Sequence, residues 1–215
     1  MTTPLDLKQI ERRAYRSVYQ DGLSDVFYGL VTVSMAVFLY RPPGGYRLSN
    51  LLLALGGYGL AYLLFWLGKK YITLPRMGQV KFGAARQKRR RTMTAVLGLV
   101  VFIQAIVVLF TALVWLVPDL GAAVGRLLGP REIMDLVVAS VGALFVGVGM
   151  TLTAYFQDFP RGFYIGFLMM LAVFLMIFLN RPVYPLALGV LTLLPGLVLF
   201  VRFVQKYPPP GREHD

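Results

Sequence analysis

The carboxylate pair Asp21 and Asp25 is the strongest candidate in this sequence for a catalytic or cation-binding role. They lie four residues apart, so both carboxylates share one face if this segment is helical. Such a pair can bind a cation or act on the phosphate-bearing headgroup of a lipid. A structural role is the alternative, in which the acids stabilise a helix start or pair with Arg12, Arg13 or Arg16.

One known catalytic pattern that contains such aspartates is incomplete here. Enzymes that transfer a phospho-alcohol from CDP carry DGxxAR followed by two further aspartates at helical spacing. In this chain Leu23-Ser24-Asp25 follows Asp21-Gly22, and no downstream aspartate follows Gly29 at that spacing. HExxH, Walker A and GxSxG sequences are also absent. No catalytic residue is therefore predicted, and the structural role is favoured.

Cysteine and histidine usage excludes further classes of site. The chain has no cysteine, which rules out disulfides, thiolate nucleophiles and cysteine-based metal or iron–sulfur sites. The single histidine, His214, lies in the polar tail, so a haem ligand or a histidine base inside a bilayer is excluded. No cofactor and no metal is predicted.

The elements that must position any site are membrane helices. The chain is 57% apolar and only 15% charged, and its apolar residues form six continuous blocks of roughly 20 residues, the length that crosses a bilayer as a helix. We predict an all-α, polytopic fold in which residues 1–21 form an amphipathic juxtamembrane segment and residues 205–215 a polar tail. The predicted spans are about 22–40, 50–68, 94–117, 133–156, 162–179 and 183–204. The apolar part of the first is short, so an incomplete or re-entrant crossing is the alternative.

The predicted orientation follows from the basic loop 69–93 between the second and third spans. Nine Lys and Arg residues and no acid occur between positions 69 and 91, and the two terminal segments add four Lys and Arg residues before the first span and three from Arg202 onward. Short loops with this bias stay in the cytoplasm, which places both termini and the loop inside the cell. The loop residues predicted to bind anionic lipid or an acidic partner are Lys69, Lys70, Arg76, Lys81, Arg86, Lys88, Arg89, Arg90 and Arg91. Nucleic acid is not a predicted partner, because base-stacking residues do not interleave with the charges.

Small residues at helical spacing predict the helix-packing faces, because close backbone approach drives association in lipid. Ala139, Ala143 and Gly147 recur every four residues in the fourth span, which we predict to be the central helix. Gly57 and Ala61 repeat this spacing in the second span. The same faces fit a homo-oligomer or a larger membrane complex.

Polar residues at membrane depth are the remaining candidates. They are Gln104, Thr111 and Thr151, and an interhelical hydrogen bond is their favoured role. No charged residue lies at the midplane of a span, which argues against a proton- or sodium-coupled pump. The hairpins formed by residues 22–68 and 162–204 also share short motifs that suggest a duplication: QD shortly before each, and AVF and an Arg-Pro stop within each.

These observations predict a non-enzymatic scaffold or accessory subunit of a cell membrane, bacterial inner or plasma. Its basic surface would contact anionic lipid or an acidic partner. The alternative is a small-solute transporter or channel that uses Gln104, Thr111 and Thr151. A lipid-modifying enzyme is third, resting on Asp21, Asp25 and Asp158.

Overall fold

The fold was determined as a computed structural model, which describes residues 19–39, 48–77, 84–117, 119, 123–125 and 131–208. Throughout these residues the regular secondary structure is helical, with no strand, so the predicted all-α class is confirmed. The six long helices are α1 Leu23–Leu39, α2 Leu48–Leu67, α3 Ala84–Leu116, α4 Arg131–Phe156, α5 Arg161–Leu179 and α6 Val183–Lys206.

Four helical stretches are long and apolar enough to cross a membrane: Leu52–Met77, Ile133–Phe156, Arg161–Leu179 and Val183–Lys206. The chain is thereby a membrane protein by helix length and composition. The apolar segments of α1 and α3, Leu23–Val37 and Arg91–Val107, are shorter. At 1.5 Å per residue the 17 residues of α1 reach about 25 Å, less than the roughly 30 Å of hydrocarbon. Six complete crossings therefore remain a prediction.

Much of the predicted loop 69–93 is helical. A π-helical segment, Gly68–Thr73, continues α2 and leads into a helical turn at Leu74–Met77. The helix α3 begins at Ala84, ten residues before the predicted start of the third span. Hydropathy marks where lipid contact ends, whereas Arg, Lys and Gln are good helix formers and extend the helix into water. The predicted amphipathic helix, up to residue 18, and the tail from residue 209 lie outside the described residues.

The packing centres on α1 and α5 rather than on α4. The helix α1 packs against α6, α2 and α5, and α5 packs against α4, α6 and α1. The helix α4 packs mainly against α5 and α3, so the prediction that the fourth span is central is wrong. The small residues of α4 lie on one face of the helix and fit one closely packed neighbour, α5, whereas α1 packs against three helices.

Glycines allow α1 and α6 to approach closely. A methyl group added to Gly29 would lie 2.8 Å from the Cβ of Leu193, and one added to Gly189 would lie 2.9 Å from the backbone nitrogen of Val33. Gly29 and Ala36 lie seven residues apart on α1, and Gly189 and Gly196 do so on α6. This heptad spacing is the sequence signal of the tightest interface in the bundle.

Candidate functional site at the charged end

Charged side chains meet at the end of the bundle where α1, α3 and α5 begin and α2, α4 and α6 end, here called the charged end. Lys69 after α2 bonds to Asp21 before α1, and Arg89 of α3 bonds to Asp158 between α4 and α5. Arg76 donates its Nε hydrogen to the backbone oxygen of Tyr207, after α6. Contacts from every helix end thus bring the residues of the basic loop onto the same surface.

Asp21 is fully buried and has three donors. Its Oδ1 accepts a hydrogen bond of 3.2 Å from the backbone N–H of Leu23. Its Oδ2 accepts bonds of 2.8 Å from the Nζ of Lys69 and 2.7 Å from the hydroxyl of Thr73. Positions 69 and 73 lie four residues apart in the π-helical segment, so their side chains emerge from nearly the same side of it. They thus supply two of the three donors to this carboxylate.

Asp25 is buried one turn further along and pairs with a different helix. The Nη1 of Arg161, at the start of α5, lies 2.7 Å from its Oδ2. Arg161 also donates a hydrogen bond to the backbone oxygen of Tyr19. The Oδ1 of Asp25 and the hydroxyl of Ser24 are buried without a hydrogen-bond partner among the described residues. The predicted partners Arg12, Arg13 and Arg16 lie outside those residues.

Tyr19 joins the segment before α1 to the turn between α4 and α5. Its hydroxyl donates a 2.7 Å hydrogen bond to the Oε1 of Gln157, and its ring stacks on Phe159 with centroids 5.0 Å apart. The Nζ of Lys69 lies 5.8 Å from the centre of the Tyr19 ring. Asp158 in this turn has a φ of 50°, a left-handed conformation that Asp tolerates well. These contacts make the charged end one connected polar cluster.

Six of the nine predicted lipid- or partner-binding residues have described side chains. These six divide into two groups by what their side chains touch. Lys69, Arg76 and Arg89 bond to groups of the bundle itself. The side chains of Lys70, Lys88 and Arg91 are exposed, and Lys70 lies 4.6 Å from the centre of the Trp66 ring. The side chains of Lys81, Arg86 and Arg90 lie outside the described part of the chain. Half of the six described basic side chains are thus structural.

The predicted intramembrane polar residues are not brought together. Gln104 is exposed on α3, and the side chain of Thr111 is outside the description. Thr151 is exposed and lines a groove of about 350 Å³ between α4 and α5, which Gln104 does not reach. Other hydroxyls bond within their own helices: those of Thr32 and Thr192 donate to the backbone oxygens of Tyr28 and Leu188.

The predicted packing residues lie at two helix interfaces. Ala139 and Ala143 of α4 are buried, and a methyl group on Gly147 would lie 2.7 Å from the sulfur of Met170 in α5. Ala61 of α2 is buried, and a methyl group on Gly57 would lie 2.4 Å from the hydroxyl oxygen of Ser34 in α1. These faces are occupied by neighbouring helices of the same chain.

A cavity of about 510 Å³ opens at the charged end between the segment before α1, the α4–α5 turn and the last turns of α6, and is called the charged-end cavity. Three cations and one acid line it, together with aromatic and aliphatic side chains. The lining residues are Tyr19, Gln20, Asp158, Phe159, Pro160, Arg161, Leu199, Arg202, Phe203, Lys206 and Tyr207. Nowhere in the described residues do three or more His, Cys, Asp or Glu side chains group as a metal site.

The ion pairs at this end were not anticipated from the sequence, although one signal pointed to them. The two Gln-Asp motifs place acids at positions 21 and 158, among many more cations. Both acids pair with residues of the basic loop, Asp21 with Lys69 and Asp158 with Arg89. The helix packing itself is not two-fold symmetric, because α1 packs on α6 without a comparable contact of α5 on α2. The hairpin duplication stays a prediction.

Comparison with family models, with curated proteins and with solved structures finds no match for this chain. A function is therefore inferred from the geometry of the charged end.

Proposed function

We propose that this chain is a non-enzymatic scaffold or accessory subunit of the membrane, with the charged end in the cytoplasm facing anionic lipid headgroups. Both termini and the loop 69–93 lie on that side in the proposal. The positive-inside rule supports this orientation, because the loop rich in Lys and Arg lies at the charged end. Lys69, Arg76 and Arg89 of that loop bond to residues at other helix ends on the same surface.

The observation that carries the proposal is the division of charge at this end. Asp21, Asp25 and Asp158 are each engaged by a cation from another part of the chain. Each of these acids is paired within the bundle, so it does not neutralise the exposed cations at the surface. Lys70, Lys88 and Arg91 remain exposed at the surface. A positive face on a membrane protein attracts anionic lipid by roughly 1 kcal/mol for each basic residue near the headgroups.

The two alternative functions have less support. A transport path needs its polar residues along one cavity, and Gln104 and Thr151 lie on separate surfaces. A lipid-modifying enzyme needs a carboxylate available for proton transfer or metal binding. Asp21 is held by three donors, and Asp158, which lines the charged-end cavity, is held by Arg89. Asp25 is buried, is paired with Arg161 and does not line that cavity.

Neutralising the exposed cations should reduce the anionic lipid around the protein. We expect the triple variant Lys70→Gln, Lys88→Gln, Arg91→Gln to lose several-fold of its enrichment in phosphatidylglycerol, because a lipid beside any one of these cations gains roughly 1 kcal/mol, about a fivefold preference, at low salt. The measurement is lipid analysis of the protein in polymer-bounded native discs taken from mixed vesicles. Enrichment in the unmodified protein should also fall in 1 M salt, where the screening length is about 3 Å.

The matched control is Arg181→Gln, since Arg181 is exposed after α5, at the opposite end of the bundle. It should lower the enrichment far less than the triple variant does, because it removes one isolated charge at the other membrane surface. Equal losses in the triple variant and in the control, or no enrichment in the unmodified protein, would contradict the proposal.

The orientation has its own test, made simple by the absence of cysteine. A single cysteine in place of Lys88 should react with an impermeant maleimide only after the cells are opened. One in place of Arg181 should react in intact cells. The reverse pattern would place the charged end outside and overturn the proposed contacts.

A further inference from the structure

The charged-end cavity has a charge pattern that the bundle itself does not use. Arg161 lines it but is paired with Asp25, and Asp158 lines it but is paired with Arg89. Arg202 and Lys206 also line it, are exposed, and form no ion pair with any described residue. Two cations that have no counterion among the described residues therefore stand at the edge of a preformed space.

These two cations lie on one face of α6 with apolar neighbours. Arg202 and Lys206 are four residues apart, which brings two like charges within one helical turn and is mildly destabilising without an anion. Leu199 and Phe203 occupy the same stripe and line the same cavity. Cationic and apolar side chains thus alternate along this stripe, so it can contact both the phosphate and the acyl chain of a phospholipid.

We propose that the charged-end cavity is a binding site for one anionic phospholipid, whose headgroup phosphate is held by Arg202 and Lys206. Its glycerol and upper acyl chain lie against the partly exposed side chain of Leu199. This inference rests on the proposed function, because it specifies one saturable site within the broader attraction of the charged end for anionic lipid. The volume of about 510 Å³ is within the usual range for a site that encloses a headgroup.

A lipid fits this cavity better than a soluble phosphate. The cavity lies where α6 leaves its predicted span, 183–204, so its apolar side is at the level of the bilayer surface. Leu199 is partly exposed in this lining and would gain nothing from a small hydrophilic anion, whereas it can cover the upper part of an acyl chain. Arg161 adds positive potential without giving up its bond to Asp25.

The experiment is a titration of the full chain, purified in neutral detergent, with fluorescent phosphatidylglycerol and with phosphatidylcholine. We expect saturable binding of phosphatidylglycerol at one lipid per chain. The double variant Arg202→Gln, Lys206→Gln should bind about 30-fold more weakly, which corresponds to roughly 1 kcal/mol for each of two basic residues. The charge-preserving double variant Arg202→Lys, Lys206→Arg should bind within a few-fold of the unmodified protein, and its melting temperature together with that of the neutral variant monitors folding.

The comparison variant Lys88→Gln, Arg91→Gln removes two exposed charges at the same end that do not line the cavity. It should keep the saturable site and lose only salt-sensitive, unsaturable binding. Equal weakening in both neutral variants would support the proposed function and overturn the specific site. Loss in neither would count against both. Full competition by glycerol phosphate at equal concentration would show that the site takes a soluble phosphate, which overturns the lipid assignment.

Discussion

Asp21→Ala is expected to lower the free energy of unfolding by roughly 3 to 5 kcal/mol, the range for removing one partner of a buried ion pair. The substitution removes the carboxylate that accepts hydrogen bonds from Lys69, Thr73 and the backbone N–H of Leu23. Lys69 is only 18% exposed, so water restores little of what is lost. The measurement is unfolding by denaturing detergent in mixed micelles.

The matched control is Asp119→Ala, because Asp119 is exposed. Its effect should stay within about 0.5 kcal/mol, as for most exposed positions. Asp21→Asn keeps the shape and an acceptor and should fall between the two. Asp21→Ala and Lys69→Ala should be strongly non-additive, since the second substitution removes a partner already lost. Equal effects of Asp21→Ala and Asp119→Ala would show that the buried carboxylate does not hold the charged end together.

Gly22→Ala is expected to destabilise the protein by at least about 3 kcal/mol, for two reasons that add. The φ of Gly22 is 74°, and a residue with a Cβ adopts this conformation at a cost of roughly 1 to 2 kcal/mol. Its Cβ would also lie 2.3 Å from the backbone oxygen of Gly196, so α1 and α6 would have to separate. The same unfolding measurement applies, together with the yield of monodisperse protein.

Two other glycines separate these causes. A methyl group on Gly59 of α2 meets nothing within 4 Å, so Gly59→Ala should be neutral or stabilising by about 0.5 to 1 kcal/mol. Gly196→Ala introduces only the steric conflict, with its Cβ 2.8 Å from the Cβ of Asp25, and should have an intermediate effect. If Gly22→Ala behaved like Gly59→Ala, the close approach of α1 to α6 would be wrong.

These two predictions concern adjacent residues, because the short segment before α1 contacts two other parts of the bundle. Asp21 bonds to the residues that follow α2, and Gly22 contacts the middle of α6. The position of Arg161 beside Asp25 then sets one wall of the charged-end cavity. The basic loop, whose predicted role is to orient the protein in the membrane, thus also contributes Lys69 and Arg89 as structural partners.

The amino-acid sequence was sufficient to predict the all-α class of the protein and the approximate bounds of most helices. Long apolar blocks in a chain without alternating polarity specify helices in lipid, so predicted spans such as 133–156 and 183–204 agree closely with Arg131–Phe156 and Val183–Lys206. The small-residue pattern also located Ala139 and Ala143, which are buried. Such signals are local, because they depend on residues within a few turns of one another.

Which helices are neighbours, and which charged residues form ion pairs, follows from the tertiary structure alone. A membrane helix is apolar on all sides, so its periodicity does not reveal the buried face, and α4 was mistaken for the central helix. Asp21 meets Lys69 across 48 residues of chain, and Asp25 meets Arg161 from another hairpin. With many cations at the charged end, the sequence offers several partners for each acid. The bundle selects among them by bringing helix ends together, since burial makes an unpaired carboxylate too costly to retain.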